Sequence, residues 1–348
     1  MGGGFHLPSG NWGVGHLIEF DVHCSGLFGQ VGNRPVQAHW RRAKKFNGFG
    51  HLRSRSGTQM RNQFDGTDGG TETEHSLAKE SAGSAVQLAL TRLERNTASF
   101  CELQFQLFRS SAARFNTVMS MMHQLCADLD NLESEGVAHG LLAEIVRPAA
   151  ILQGLAPFIH RLQTQPRGYP GDFETIEYIL LGENKAPPDT LAFCFEEYAL
   201  NAAPAYQHRN KINVQAKLIR DVCAEIHEPR ILVLAAGGGF DLGLVLQDLH
   251  NSKAFLVVND IDPEAIALCK KRLAGLGDRV TYQLGNVLLL NREFAKLGPY
   301  DLVTAGGLFD YVPQKRLQRL FTWVVGCLRV EVGRFFFTNI AYGNPYRS

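Results

Sequence analysis

The stretch "RILVLAAGGGFDLGLVLQ", residues 230–247, sets a run of aliphatic residues against three consecutive glycines and then resumes an apolar helical rhythm. It reads as a buried strand that hands over to a helix through a turn without side chains. Gly237, Gly238 and Gly239 permit a tight turn there and let the backbone come close to a ligand. In open α/β sheets that carboxyl edge is where cofactors bind.

The pattern continues outward from this turn. Short β-rich runs, "ILVLA", "FLVVND", "VTYQLG", "YDLVTA" and "FFFTNI", alternate with helical ones such as "PEAIALCKKRLAGL" and "QKRLQRLFTWVVGCL". Strands that are apolar throughout, joined by helices, predict a parallel sheet covered on both faces, hence a doubly wound α/β domain. The second strand ends in Asp260, 21 positions after Gly239, where a carboxylate can accept both hydroxyls of a ribose. Asp262 and Pro263 then read as the cap and first turn of the next helix. The third strand ends in "GNV", which places Asn286 where its amide can meet the edge of a purine. No G-K-[ST] follows the glycines, which excludes a P-loop, and the second half-sheet of a dinucleotide-binding enzyme is missing.

This order of elements resembles the class I S-adenosylmethionine-dependent methyltransferases over residues 230–348. Three further motifs, "RGYPGDFETIEYI", "HRNKI" and "AGGLFDYVPQKRL", resemble the methyltransferase subgroup of extracellular-factor 3-hydroxypalmitic acid methyl ester biosynthesis proteins, and extend the match to residues 86–348. The azetidine-2-carboxylate synthases, which cyclise S-adenosylmethionine, look like relatives of that subgroup. The resemblance implies a Rossmann-like methyltransferase sheet with an N-terminal helical cap, and S-adenosylmethionine as cofactor. It carries the cofactor-binding role onto Ala235, Gly237, Gly239, Asp260, Ile261, Asn286 and Val287. Two positions depart from the family's pattern of apolar, acidic, apolar, Gly-x-Gly-x-Gly: the acidic position is Val233 and the first glycine is Ala235. By the subgroup's pattern the chain runs on past "NPYR" into a final strand. Either the expected sheet lacks its last, hairpin-paired strand, with an unpaired edge left beside "FFFTNI", or the sequence is a truncated form.

Composition sets the surroundings. At 348 residues and 45% hydrophobic, the chain can bury more than one core. A net charge of +1 argues against nucleic acid or an anionic membrane as partner. The seven cysteines are scattered, with no C-x-x-C pair, and predict free thiols in a reducing, cytoplasmic setting without a metal centre. No apolar run approaches the ~20 residues of a membrane span. Residues 1–75 hold 15 of the 35 glycines without helical or strand period and are expected to be a disordered tail. Residues 76–225 form the expected helical cap, and residues 226–348 the cofactor-binding domain. Within the cap, Phe115, Val118, Met122, Leu125, Leu129 and Leu132 share one face of a long helix, and helical stretches are expected at 141–162 and 212–226.

The candidate catalytic residues are Tyr169, Asp172, Tyr178, Arg209, Asp310 and Tyr311. Arg209 can orient a carboxylate through two parallel hydrogen bonds. Tyr169, Tyr178 and Tyr311 offer aromatic faces that tolerate a sulfonium charge. Asp172 and Asp310 read equally as helix caps. The expected activity is methyl transfer to a small molecule, an acyl carboxylate in first place. Cyclisation of S-adenosylmethionine to azetidine-2-carboxylate and methylthioadenosine, or non-catalytic binding, are the alternatives.

Overall fold

The structure, a computed structural model, describes residues 19–20 and 71–339. The expectation of disorder over residues 1–75 falls mostly outside the described residues. The described cysteines are free thiols, and no described helix is long and apolar enough to cross a membrane.

In chain order the elements are β1 (Glu19–Phe20), α1 (Thr71–Glu102), α2 (Ser111–Ser134), α3 (His139–Gln153), α4 (Pro157–Thr164), α5 (Phe173–Leu181), α6 (Leu191–Leu200) and α7 (Ala203–Glu225). There follow β2 (Arg230–Val233), α8 (Phe240–Leu244), α9 (Leu246–Asn251), β3 (Phe255–Asp260), α10 (Pro263–Arg272), β4 (Val280–Leu284) and α11 (Asn291–Leu297). The last are β5 (Leu302–Ala305), α12 (Gln314–Gly326) and β6 (Arg334–Phe337). The chain divides into two compact units, Lys45–Gln165 with Asn184–Leu200, and Pro166–Glu183 with Asn201–Ser348 and Met1–Lys44.

The first unit is helical. Leu93, Phe100, Val118, Leu125, Leu132 and Phe195 are fully or nearly buried at its centre, and the rings of Phe100 and Phe195 stack at 5.5 Å. The three- and four-residue spacing in α2 puts Val118, Met122, Leu125 and Leu132 inward as expected. Asp128 is also buried, held by Arg92 Nε at 2.8 Å, Asn96 Nδ2 at 2.6 Å and Gln124 Nε2 at 3.1 Å. The stretch expected as one helix over 141–162 breaks into α3 and α4, because Pro157 opens a new first turn after Gly154.

The second unit carries the sheet, in the order β1-β6-β5-β2-β3-β4. β2 to β6 are parallel, as the apolar strands predict, while β1 runs antiparallel along β6, with Glu19 opposite Phe336. Beside β6, where the sequence leaves an unpaired edge, the structure therefore places β1. Alternation divides the core: Ile231 and Val233 pack with Ile219, Leu249, Ile266 and Cys269 on one face. Leu232 and Leu234 pack with Phe294, Val303, Leu320 and Phe335 on the other. Residues 166–183 and 201–225, grouped with the cap on sequence, sit in this unit. From β2 the chain steps outward to β3 and β4, then returns to β5 on β2's other side, so the topological switch lies between β2 and β5.

Candidate functional site

The turn after β2 is built for close approach. Gly237 and Gly239 have φ of +55° and +65°, in the left-handed region that glycine occupies without steric cost. A Cβ on Gly239 would come within 2.6 Å of Cys269 Sγ, so the third glycine also lets α8 pack on α10. Ala235 is left-handed too, at φ +50°. The backbone thus keeps the shape of a glycine at the position where the family resemblance places one, at a steric cost of roughly 1–2 kcal/mol.

Asp260, at the end of β3, is bonded to this turn. Its Oδ2 accepts from Gly237 N at 2.7 Å and its Oδ1 from Asp262 N at 2.9 Å. Burial raises the pKa of this carboxyl, and the backbone donors oppose that shift. Each oxygen retains lone-pair capacity for a ligand hydroxyl. Asn259 Nδ2 donates to the carbonyls of Gln283 (2.8 Å) and Gly285 (2.9 Å), which ties the end of β4 to β3 and sets the loop that carries Asn286. Asn286 Oδ1 accepts from Leu288 N at 2.9 Å, which leaves its NH2 to donate.

These groups border one cavity of about 660 Å³, within the range of small-molecule sites. Of the sequence-derived cofactor set, Ala235, Gly237, Asp260, Ile261, Asn286 and Val287 line it, and Gly239 stands behind the lining. Of the catalytic candidates, Tyr169, Asp310 and Tyr311 line it. Tyr169 and Tyr311 meet edge to face at 5.7 Å, and the Tyr311 hydroxyl donates to Pro170 O. Burial pushes Tyr169 up to about 12 and also raises Tyr311, so both phenols stay protonated near neutral pH and offer rings rather than bases.

The other three candidates stand outside the lining. Asp172 is buried as the cap of α5, accepting from Glu174 N (3.0 Å), Thr175 N (3.1 Å) and Thr175 Oγ1 (3.0 Å). Arg209 Nε donates to Ile179 O at 3.0 Å, in the last turn of α5, and its guanidinium lies over the Tyr206 ring. Tyr178 belongs to the last turn of the same helix, where its carbonyl accepts from Gly182 N. Asp262 caps α10, as expected, and also accepts from Arg167 Nη1 at 2.7 Å.

Sequence reasoning missed a polar group beside the switch point. His208, Lys211 and Gln215 line the cavity from α7, and Asp241 lines it from the first turn of α8. Gln215 Nε2 donates to Asp241 Oδ2 at 3.1 Å, whereas Gln215 Oε1 and His208 Nδ1 are buried without a partner among the described residues. Burial, with Lys211 nearby, drives His208 down to about 4; burial raises Asp241 to about 6 and lowers Lys211. The spacing of polar residues at 208, 211 and 215 on one helical face was the available signal. Two of the three, His208 and Lys211, precede Ile212, where the stretch read as helix starts, whereas α7 begins at Ala203.

No family model matches the chain, and none of the curated proteins matches it. Among solved structures the chain is similar to a candidate sarcosine dimethylglycine methyltransferase of Galdieria sulphuraria, at 18% identity and TM-score 0.27 over 36% of this chain and 44% of that one. It is similar to the O-methyltransferase TomG of Streptomyces achromogenes, involved in tomaymycin synthesis and solved with S-adenosylmethionine, at 17% identity and TM-score 0.28 over 45% and 61%. A candidate exported protein of Bordetella parapertussis aligns at 17% identity and TM-score 0.36 over 70% and 68%. The chain spans less than two thirds of the length of either methyltransferase.

Proposed function

We propose that this chain binds S-adenosylmethionine at the carboxyl edge of its sheet and catalyses methyl transfer to a small-molecule acceptor. The observation that carries this reading is the bond from Gly237 N to Asp260 Oδ2, made where both residues line the cavity next to the switch point. It holds a carboxylate against a glycine turn, the arrangement suited to a ribose. The site fits such a ligand: among the described residues, Asp260 has acceptor capacity to spare, the Asn286 NH2 has no acceptor, and two buried polar atoms, on Gln215 and His208, have no partner.

Bound here, S-adenosylmethionine would supply an electrophilic methyl group. The chain's own work is then positioning, since displacement needs nucleophile and methyl in line at about 3–3.5 Å. Tyr169 and Tyr311 present aromatic faces to the cavity, a surface suited to a sulfonium charge. An acyl carboxylate, the acceptor the sequence resemblance implies, is already ionised near neutral pH and needs no strong base. That agrees with two phenols kept protonated at the mouth of the site.

Product analysis tests the reading. Incubation with S-adenosylmethionine and a fatty-acid acceptor is expected to give S-adenosylhomocysteine and a methyl ester only when both are present. Methylthioadenosine released without an acceptor would replace methyl transfer by cyclisation. Absence of any nucleoside product, together with no heat of binding at millimolar S-adenosylmethionine, would leave the enzymatic reading without support.

A further inference from the structure

The acidic residue that the family pattern puts two positions before the first glycine is absent. Val233 stands there, 2% exposed and packed in the apolar core. A ligand ending in an α-amino acid presents an ammonium and a carboxylate, and both charges need partners in a closed site. The cavity holds such partners elsewhere. Asp241 is 2% exposed, two positions beyond Gly239. Lys211 faces it from α7, under the electrostatic pull of Asp310 first and Asp241 second, all three lining the cavity. Among the described residues Lys211 makes no ion pair. Gln215, one helical turn beyond Lys211 on α7, donates to Asp241 and, among the described residues, keeps Oε1 buried and unpartnered.

The end of β5 is shaped around this group. A Cβ on Gly306 would sit 2.0 Å from Gln215 Oε1, and one on Gly307 would sit 3.5 Å from Lys211 Nζ. Gly306 therefore leaves space that the Gln215 amide occupies, and a Cβ on Gly307 would lie at van der Waals distance from the ammonium. β5 neighbours β2 and lies two strands from β3, about 10 Å across the sheet. Asp260 and Lys211 line the same cavity, one from the end of β3 and one from α7, so a single ligand can set its sugar against the first and its amino-acid end against the second.

We propose that Lys211, Asp241 and the Gln215 that donates to Asp241 form a zwitterion subsite for the amino-acid end of the cofactor, Lys211 taking the carboxylate and Asp241 with Gln215 Oε1 the ammonium. The assignment rests on the S-adenosylmethionine reading above and adds to it the residues that replace the acid missing at Val233. Burial of both charged groups supports it, since the charges of a bound zwitterion would be weakly screened beside them.

Calorimetry on the full chain with three ligands separates the terms: S-adenosylhomocysteine, its decarboxylated analogue and 5′-methylthioadenosine, which lacks the amino acid. Lys211→Met is expected to weaken S-adenosylhomocysteine at least tenfold, while the decarboxylated analogue and methylthioadenosine stay within twofold of wild type. Lys211→Arg is expected to restore most of the loss. Asp241→Asn is expected to weaken both ligands that carry the ammonium and to spare methylthioadenosine; if it fails to fold, the Lys211→Met series decides alone. An unchanged S-adenosylhomocysteine affinity in Lys211→Met, or an equal loss for all three ligands, overturns the subsite. Absence of methylthioadenosine binding by the wild type overturns the nucleoside reading and the subsite with it, so the two failures are told apart.

Discussion

Glu177 and Arg272, 95 positions apart in the chain, meet in a two-point ion pair: Nη1 to Oε1 at 2.8 Å and Nη2 to Oε2 at 2.9 Å. Arg272 Nη1 also donates to Gly238 O, and its guanidinium lies 5.1 Å from the centre of the Phe240 ring. The pair bolts α5 to α10 directly over the glycine turn. A parallel fork on one carboxylate fixes orientation as well as distance.

Breaking that fork should cost stability. The two side chains are 15% and 21% exposed, so little water is at hand to replace a lost partner. Glu177→Gln is expected to lower the unfolding free energy by about 1.5–3 kcal/mol, the range for a hydrogen bond to a charged group. Gly238→Ala should do comparable damage from the other side, because its Cβ would lie 2.6 Å from Glu177 Oε1 and 2.6 Å from Leu268 Cδ2. Urea unfolding midpoints of the two variants equal to wild type would show that the clamp contributes nothing.

Ala235 offers the opposite kind of test. Its φ of +50° costs a side-chain-bearing residue roughly 1–2 kcal/mol, whereas glycine loses about 0.5–1 kcal/mol in unfolded-state freedom. The first term is larger, so Ala235→Gly is expected to stabilise the fold by about 0.5–1 kcal/mol. It also clears a methyl group from the cavity lining, and S-adenosylhomocysteine should bind the variant at least as tightly. A lowered melting midpoint would mean that the turn around Ala235 is not under strain.

The ribose assignment stands on Asp260. Asp260→Asn keeps one acceptor but turns an NH2 toward either Gly237 N–H or Asp262 N–H, which now hold one oxygen each. Affinity for 5′-methylthioadenosine is expected to fall by about 1.5–3 kcal/mol, the value of a charge-assisted hydrogen bond. Calorimetry showing wild-type affinity would move the sugar away from this carboxylate.

The fold was largely legible because its signals are local. Strands such as "FLVVND" are apolar throughout and bounded by turn residues, and that run is β3 end to end. The glycine turn and Asp260 were legible for the same reason: one stretch specifies each. The polar group of His208, Lys211, Gln215 and Asp241 was not, since its members come from α7 and α8 and only the packed sheet brings them to one cavity. Arg209 shows the converse. His208, Lys211 and Ile212 of "HRNKI" face the cavity, yet one helical step turns Arg209 toward the carbonyl of Ile179. Ala235 kept a glycine's conformation without being a glycine, which no propensity argument anticipates.

His208 and Asp241 pull stability in opposite directions with pH. His208 is held down at about 4 in the fold against an ordinary 6.5, so it favours the native state above 6.5 and loses that contribution as pH falls toward 4. Asp241 is raised to about 6 against an ordinary 3.8, so its contribution is complete below 3.8 and disappears as pH rises through 6. Between pH 4 and 6 the unfolded chain carries a proton on the histidine that the native state lacks, and the native state carries one on the aspartate that the unfolded chain lacks. The two slopes, each up to about 1.4 kcal/mol per pH unit, therefore oppose one another in the wild type. His208→Gln removes the first and should make stability fall as pH rises from 4 to 6, relative to wild type. Asp241→Asn removes the second and should make it climb over the same window. Denaturant unfolding at four or five pH values measures both. Parallel pH profiles for wild type and the two variants would show that neither group is perturbed by burial beside Lys211.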